Sequence, residues 1–535
     1  MIAAVYTPLR MKAFVARFGY PVWMAFLVVF ALLHGLHLAA DFPRHSPWPD
    51  WARFTDEGWY ANAAIRLHLG GHWHHPGGFN PAVAVPLWPA LVWLLFFVTG
   101  VSLVAIRALA VALFCASLLL TERLLRPRVP RWAALLALTL LVTSPFLYAF
   151  SRLALLEPLL LTLTLLALVV ALGLPVARSL TRNAALLGLL VAAMILAKTT
   201  AVFLLPAILW AAAWPLHAEP RRLRRAFVTA TLAASAILGG WLAAILRLHL
   251  LGDLTYFFFI NRYPQPHTLA ARLASLGWSL HGALWIDPIL LPVLGLLLLL
   301  VCARPAWAAA LLRDPLFVAS LLAIAGYIAY MAAQNHTQPR YYTIVAVFSF
   351  LALAQLLAAL LGSCKIPRSV GALALLVVLG GAAHNAAVTL QAALHPEYTW
   401  ITAARALTAC IKMHSGAQPD ARRLLLATSG DEITLMTGLP AANDDFGTDL
   451  PERRIERAQP GWFATWNDLD PAILAALHRS YALRQIAVYP VMDDSERNRL
   501  VLFRLVPHEP APGTRLTVAT LGQILPEDRI AIPVE

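Results

Sequence analysis

Charged residues are scarce in this sequence. Asp, Glu, Lys and Arg make up 13% of the 535 residues, whereas hydrophobic residues make up 60%. A soluble globular domain carries about 25% charged residues. Apolar runs of about 20 residues, the length that crosses a hydrocarbon core of about 30 Å, recur from Pro21 onward. The composition excludes a soluble globular chain and predicts a polytopic membrane protein.

Cysteine is also scarce, and glycine-rich phosphate loops are missing. The four cysteines are Cys115, Cys302, Cys364 and Cys410. None of them belongs to a C-x-x-C pattern, which argues against a cysteine metal site, and we expect no disulfide framework. Without a Gly-rich loop of the kind that cradles phosphates, we expect no nucleotide cofactor.

Basic residues are plentiful, but their placement argues against a nucleic-acid partner. The formal net charge is +13. The basic residues form clusters between apolar runs, at Arg10–Arg17, Arg123–Arg131, Arg178–Arg182, Arg221–Arg225, Arg304–Arg313 and Lys365–Arg368. Such clusters favour the cytoplasmic side of a membrane. Keeping them all there predicts a cytoplasmic N-terminus, eleven spans and an external C-terminus, in the inner membrane of a bacterial cell envelope.

One apolar run does not fit a simple crossing. Val83–Thr99 contains Pro86 and Pro89, which interrupt helical hydrogen bonding. A full crossing there would also move the Arg123–Arg131 cluster to the outside. We therefore predict an interfacial or re-entrant segment, with residues 41–101 forming the first outer loop.

Another apolar run, Ala184–His217, is long enough to cross twice. Its central charged residue, Lys198, is then expected at the outer turn between two short helices. Other spans are predicted at Pro21–Ala40, Ser102–Thr121, Trp132–Phe150, Ala226–Leu250, Pro288–Cys302, Leu316–Ala333, Thr343–Leu361 and Val370–Leu390. The eleventh lies between Glu157 and the Arg178–Arg182 cluster, since both neighbouring Arg clusters are placed inside. The chain thus divides into a transmembrane domain, 1–392, and a tail, 393–535.

The tail has a different pattern from the rest of the chain. Charged residues become frequent, and short β-branched runs alternate with turn signals. We predict strands at Arg423–Thr428, Gln485–Tyr489 and Leu500–Val506, and a helix at Leu469–Leu483. The fold class predicted for the whole chain is an all-α polytopic membrane protein with a small extramembrane α/β domain.

Unusual polar residues fall in the predicted outer loops. They are Asp56, Glu57, Tyr60, Glu157, Lys198, Arg262, His267, His336, Arg340, Tyr341 and Tyr342. Ionisable groups at a membrane boundary are costly and so indicate function. We expect these side chains to converge on one interfacial site.

The residue types in this set suit the transfer of a sugar from a lipid phosphate. Cations must stabilise the departing phosphate, and Lys198, Arg262 and Arg340 are the candidates. The acceptor hydroxyl needs a carboxylate as general base, for which Asp56 is the candidate. The expected partners are a polyprenyl-phosphate sugar, membrane lipids and a hydroxyl on a lipid, a glycan or a protein.

At these residues the sequence resembles the polytopic glycosyltransferases with the C-type fold that use lipid-phosphate sugars. The branch it most resembles contains the protein O-mannosyltransferases and the lipid A aminoarabinose transferase. The motifs that carry the resemblance are the Asp56-Glu57 pair with Tyr60, the stretch Arg152–Glu157, the A-K-T segment around Lys198, and Arg340–Tyr342. They lie within residues 20–360.

The resemblance implies roles for these residues. Asp56 would be catalytic, and Lys198 would lie near the donor phosphate. From their place in the outer loops, we predict that the remaining candidates bind substrate: Glu57, Tyr60, Glu157, Arg262, His267, Arg340 and Tyr341. Family members often carry an acidic or His residue and a Pro pair where this chain has Asn80 and Pro81. A divalent metal site is therefore left open, with His72, His74 and His75 nearby.

Other interpretations compete with this one. Asp56 and Glu57 suit a helix start, Lys198 could be an interfacial lysine that snorkels, and Arg340–Tyr342 could anchor a helix in the aromatic belt. A multi-pass transporter is the rival function, although transporters place charges near the midplane and often show repeats. A membrane-anchored binding protein is a third possibility.

Overall fold

The fold is given by a computed structural model. It describes residues 20–42, 54, 56–261, 265–362, 368–415, 424–427, 430–443, 447–467, 471–491 and 497–508. Arg262, one of the predicted site residues, lies outside the described residues.

Most of the described chain is helical. Eight helices are long and apolar enough to cross a membrane: Leu103–Leu125, Leu156–Val176, Leu180–Ala197, Thr199–Leu216, Pro220–Arg247, Pro315–Gln334, Pro339–Gly362 and Ser369–Ser415. The last of these joins a helix over Arg368–Leu394 to a second over Thr399–Ser415. The chain is a multi-pass membrane protein.

Two further spans are bent. Arg131–Thr143 and Pro145–Ser151 meet at 64°, and Leu269–Trp285 meets Leu290–Cys302 at 117°. Counting each bent pair as one crossing gives up to ten spans within the described residues. The helix Tyr20–Leu33, the first among the described residues, is shorter than a full span. The eleven predicted spans correspond in position to these ten and this helix.

The bend near Pro145 follows from the sequence. Proline lacks an N–H and tends to start a helix rather than continue one. Ser144 adopts an extended conformation, and its side chain accepts a hydrogen bond from the Leu147 N–H, as an N-cap residue does. The second half of the span therefore begins as a new helix.

The first loop, residues 41–101, contains two helices joined by a short 3₁₀ turn. They span Asp56–Gly70 and Leu87–Thr99, and the turn spans Pro81–Val83. Pro86 and Pro89 lie at the start of the second helix rather than breaking it, where a missing N–H costs little. With 13 residues this helix is shorter than a span, as expected for an interfacial or re-entrant segment.

The tail folds around a five-stranded mixed sheet. Its strands are β1 (Leu425–Ala427), β2 (Ala441–Asn443), β3 (Trp462–Trp466), β4 (Tyr481–Pro490) and β5 (Arg499–Pro507). They are ordered β2-β1-β3-β5-β4, with β1 parallel to β2 and β3, and β5 antiparallel to β3 and β4. Besides Thr399–Ser415, the described helices of the tail are Gly430–Thr437, Pro451–Ala458 and Pro471–Ser480. The sequence predicted β1, β4, β5 and the last helix but not β2 or β3.

The hydrophobic core continues from the first loop into the tail. One cluster of buried residues contains Ile65 and Trp88 of the loop together with Trp400, Trp462 and Ile433 of the tail. A second, larger cluster surrounds the nearly fully buried helix Pro339–Gly362 among the membrane spans. The tail therefore packs directly on the loop that carries Asp56.

Candidate active site

Two ion pairs occupy the region where the first loop meets the membrane helices. In the first pair, Arg340 Nη1 lies 3.0 Å from Asp56 Oδ2. In the second, the Lys198 ammonium group contacts Glu157 Oε1. All four side chains are buried. Charges of opposite sign that are removed from water need such partners to offset the cost of desolvation.

A single aromatic ring connects the two pairs. The Lys198 nitrogen lies 4.3 Å from the centre of the Tyr341 ring, and the Arg340 guanidinium carbon lies 5.3 Å from it. Cations within about 6 Å of a ring face are attracted by its quadrupole. Asp56, Glu157, Lys198, Arg340 and Tyr341 thus form one unit, which we call the ion-pair cluster.

Helix ends place all four charges of this cluster. Asp56 begins the helix Asp56–Gly70, and Glu157 lies in the first turn of a span. Carboxylates are stabilised there by the positive end of the helix dipole. Lys198 is an extended residue between two helical segments, and Arg340 lies in the 3₁₀ turn that precedes a long helix. The charges converge because these helices end at the same level.

Tyr60 lies beside this cluster. It is one helical turn beyond Asp56, with the same face directed toward the ion pairs. Burial raises the pKa of its hydroxyl well above the ordinary value, and the negative charge of Asp56 raises it further. The hydroxyl therefore stays protonated and remains a hydrogen-bond donor beside Asp56.

Glu57 points away from the ion-pair cluster and holds the loop in place. Arg107 donates to it through Nε at 2.8 Å, and the backbone N–H of Ala154 donates at 2.7 Å. Arg107 also donates to the carbonyl oxygens of Leu38 and Ala40. With both oxygens engaged by Arg107, Glu57 is a structural carboxylate that orients the loop.

Sequence reasoning missed Arg107. Its signal was present, because an arginine inside the apolar run Ser102–Thr121 is an intramembrane charge that calls for a partner. The partner could not be identified from spacing, since Glu57 lies 50 residues earlier in the chain.

The tail contributes a second residue that the sequence analysis missed. The Glu432 side chain is 1% exposed, and its Oε2 accepts a hydrogen bond from the Gly58 N–H at 2.7 Å. Burial, followed by the charge of Glu57, raises the pKa of Glu432 well above its ordinary value. The neighbouring Asp431 is also buried, and its Oδ2 lies 3.9 Å from Arg66 Nη2.

The two histidines predicted near the site differ in their placement. His267 is exposed. His336, by contrast, is buried with its ring 5.7 Å from that of Tyr341. Burial, together with the positive charges of Arg340 and Lys198, lowers the pKa of His336 to about 3. It is therefore neutral at physiological pH.

The described residues do not fit a metal site next to Asp56. No group of three or more His, Cys, Asp or Glu side chains with ligand geometry occurs among them. The His72 ring bonds to a backbone carbonyl, and His74 pairs with Asp253 at 3.1 Å. Asn80 donates to the same aspartate at 2.9 Å. This polar cluster closes the turn of the first loop.

An apolar cavity lies among the membrane helices. Its volume is about 220 Å³. It opens among three helices, Leu180–Ala197, Leu205–Ala213 and Pro220–Arg247, and side chains such as Leu187 and Phe227 line it. The first of these helices ends directly before Lys198.

Comparison with known proteins adds a family match for part of the chain. Residues 74–241 match the family model described as dolichyl-phosphate-mannose-protein mannosyltransferase. That region contains Glu157 and Lys198 but not Asp56 or Arg340. No sequence among the curated proteins matches the chain.

The fold is similar to that of ArnT from Cupriavidus metallidurans in the apo state. The TM-score is 0.56 at 13% identity, over 91% of this chain and 98% of that one. AglB from Archaeoglobus fulgidus, with an inhibitory peptide and a dolichol-phosphate, gives a TM-score of 0.47 at 13% identity, over 92% and 77% of the two chains. An Archaeoglobus fulgidus oligosaccharyltransferase with zinc and sulfate gives 0.48 at 13% identity, over 88% and 73%. The likeness to ArnT confirms the predicted fold class.

Proposed function

We propose that this membrane protein is a glycosyltransferase that moves a sugar from a polyprenyl-phosphate donor to an acceptor hydroxyl at the outer face of the membrane. The observation that carries the proposal is the ion-pair cluster, in which two cations and two carboxylates meet around Tyr341. The family match over residues 74–241 and the ArnT-like fold support the same reaction class.

The two cations suit the donor phosphate. Lys198 and Arg340 are each neutralised by a carboxylate in the free protein. A phosphate that enters between them competes with the two carboxylates for the N–H donors of Lys198 and Arg340. The planar guanidinium group of Arg340 can donate two parallel hydrogen bonds to phosphate oxygens. Binding of the donor therefore loosens the contact of Arg340 with Asp56.

The freed carboxylate can then act as general base. Asp56 accepts the proton of the acceptor hydroxyl while the hydroxyl oxygen forms a bond to the anomeric carbon. The bond from that carbon to the phosphate oxygen breaks, and polyprenyl phosphate departs with the electron pair. Lys198 and Arg340 stabilise its added negative charge. The Tyr60 hydroxyl serves as a hydrogen-bond donor beside Asp56.

The apolar cavity among the membrane helices suits the isoprenoid chain of the donor. An apolar chain gains little free energy from moving out of lipid into protein, so the fit of the chain in the cavity decides where it binds. The helix Leu180–Ala197 lines the cavity and ends at Lys198. A donor whose phosphate sits at Lys198 can thus extend its chain along this helix.

The acceptor is a hydroxyl on a lipid, a glycan or a protein. It approaches from the side of the first loop and tail, which we assign to the outer compartment because the Arg clusters lie at the opposite helix ends. The charges of the cluster lie at helix ends, which favours an enzyme at the interface over a transporter with a midplane site.

The experiment that tests the function uses the purified protein in lipid nanodiscs. Radiolabelled polyprenyl-phosphate sugars are supplied with a membrane extract as acceptor, and nucleotide sugars serve as the parallel donor. We expect label to move from the lipid-phosphate donor only. Transfer from the nucleotide sugar, or substrate flux in liposomes without transfer, would refute the proposal.

A further inference from the structure

The tail reaches the loop that carries Asp56 through a contact that requires a glycine. Gly58 follows Asp56 and Glu57 in the helix Asp56–Gly70. A Cβ atom at Gly58 would lie 2.4 Å from the Glu432 nitrogen and 2.7 Å from the Asp431 carbonyl carbon. Such distances are far below van der Waals contact. Only glycine permits the two backbones to approach this closely.

The same contact satisfies the backbone at the start of the helix. The first N–H groups of a helix have no partner within it. The N–H of Gly58, the third residue, donates to Glu432 Oε2 at 2.7 Å. A side chain usually provides such a cap from within a few residues. Here the cap comes from a residue 374 positions away.

Glu432 is itself held firmly. It lies in the first turn of the helix Gly430–Thr437, next to Asp431, whose N–H donates to Asn443 at 3.2 Å. Ile433, the next residue, belongs to the hydrophobic cluster shared by the loop and the tail. The capping oxygen is therefore attached to a packed element.

We propose that Glu432 is a positioning residue for the transfer reaction, because it caps the helix that begins at Asp56 and so fixes the catalytic carboxylate relative to Arg340. This inference rests on the proposed function. It gives the tail a role in catalysis that the ion-pair cluster alone does not explain. The raised pKa of Glu432 fits a neutral carboxyl that serves as a hydrogen-bond acceptor.

The test compares Glu432→Ala with Glu432→Gln. The amide oxygen of glutamine can accept the same N–H bond, whereas alanine cannot. We expect Glu432→Ala to lower kcat by about tenfold to a hundredfold, as small misplacements of reacting groups do, with the donor KM nearly unchanged. Glu432→Gln should recover most of kcat. Glu452→Ala, which removes a tail carboxylate that pairs with Arg479, is the matched control and should behave like the wild type.

A second pair of variants tests the close approach. Gly58→Ala introduces the clashing Cβ and should reproduce the kcat loss of Glu432→Ala. Gly239→Ala makes the same substitution in a membrane helix where nothing lies within 4 Å of the new Cβ. It should leave kcat unchanged.

Amide hydrogen exchange of the full-length protein gives a readout that does not depend on activity. Glu432→Ala and Gly58→Ala should accelerate exchange in a peptide covering the start of helix Asp56–Gly70, and Glu432→Gln should restore protection. Accelerated exchange with normal kcat would overturn the positioning role, as would failure of Glu432→Gln to recover kcat. A wild type without any transfer would refute the proposed function, while unchanged exchange in Glu432→Ala would separately refute the cap.

Discussion

Arg340 and Asp56 form a buried ion pair, with Nη1 3.0 Å from Oδ2. The pair joins the start of the helix Pro339–Gly362 to the first loop. The proposed base is thus neutralised before substrate arrives. A donor phosphate that engages Arg340 shifts the guanidinium away from Asp56. The pair therefore couples donor binding to activation of the acceptor.

Replacing Arg340 tests this coupling. Arg340→Met removes the cation that binds the phosphate and stabilises the leaving group. We expect kcat/KM for the donor to fall by a factor of about 10 to 150, equivalent to a charged hydrogen bond of about 1.5–3 kcal/mol. Arg340→Lys should retain part of the activity because it keeps the charge. Steady-state kinetics with a polyprenyl-phosphate sugar measure this, and normal kinetics for Arg340→Met would contradict the assignment.

Lys198 is expected to act on donor binding. Lys198→Met leaves Glu157 buried without its cation and removes a phosphate contact, so KM for the donor should rise. Lys198→Arg should retain more activity than Lys198→Met, since charge is what the phosphate requires. Lys412→Met, on the exposed side of a tail helix, is the control. Equal losses in Lys198→Arg and Lys198→Met would indicate a purely structural lysine.

Arg107 should affect stability rather than chemistry. Arg107→Met leaves the Glu57 carboxylate buried and without its ion pair, and breaking such a pair costs about 3–5 kcal/mol. A lower unfolding temperature in detergent is the expected result, with near-normal kcat for the folded fraction. A reduced kcat at unchanged stability would instead place Glu57 in the reaction.

The pH dependence of stability should report on His336. Its pKa is about 3 in the folded protein, against an ordinary value of 6.5. Between pH 3 and pH 6.5, the unfolded state binds more protons at His336 than the folded state does. The free energy of unfolding therefore rises with pH in this range. The stabilisation is complete above pH 6.5 and is lost progressively as pH falls toward 3.

Thermal unfolding of His336→Asn between pH 4 and pH 7.5 measures this contribution. The variant should lose less stability than the wild type as pH falls. His395→Asn, which changes an exposed histidine, is the control and should follow the wild type. Parallel curves for wild type and His336→Asn would contradict the low pKa.

Much of the membrane domain could be predicted because its signals are local. Apolar runs fix the span positions, and Lys198 interrupts such a run where a helix ends. The bend at Ser144 and Pro145 also has a local signal, because a serine followed by a proline is typical of a helix start. The helix Leu269–Trp285 was not predicted, because polar residues such as Arg272 and His281 interrupt its apolar sequence.

The site was predicted only as far as charges at membrane boundaries reveal it. Asp56, Glu157, Lys198, Arg340 and Tyr341 come together as the topology suggested. The pairing among them depends on helix packing, which spacing along the chain does not encode. Glu432 could not be identified at all, because an acidic residue in a polar tail is unremarkable until the fold buries it against Gly58.

The most direct test of the account is the transfer rate of Asp56→Asn. Asparagine preserves size but cannot accept the acceptor proton, so the rate should fall by about 10²–10⁴-fold. Donor binding should be retained, because Lys198 and Arg340 still hold the phosphate. The unfolding temperature should fall, because Arg340 loses its buried ion-pair partner. Glu57→Gln should be milder, and Asp449→Asn, at a partly exposed tail ion pair, should transfer normally. Wild-type turnover by purified, folded Asp56→Asn would contradict the central claim that Asp56 is the catalytic base.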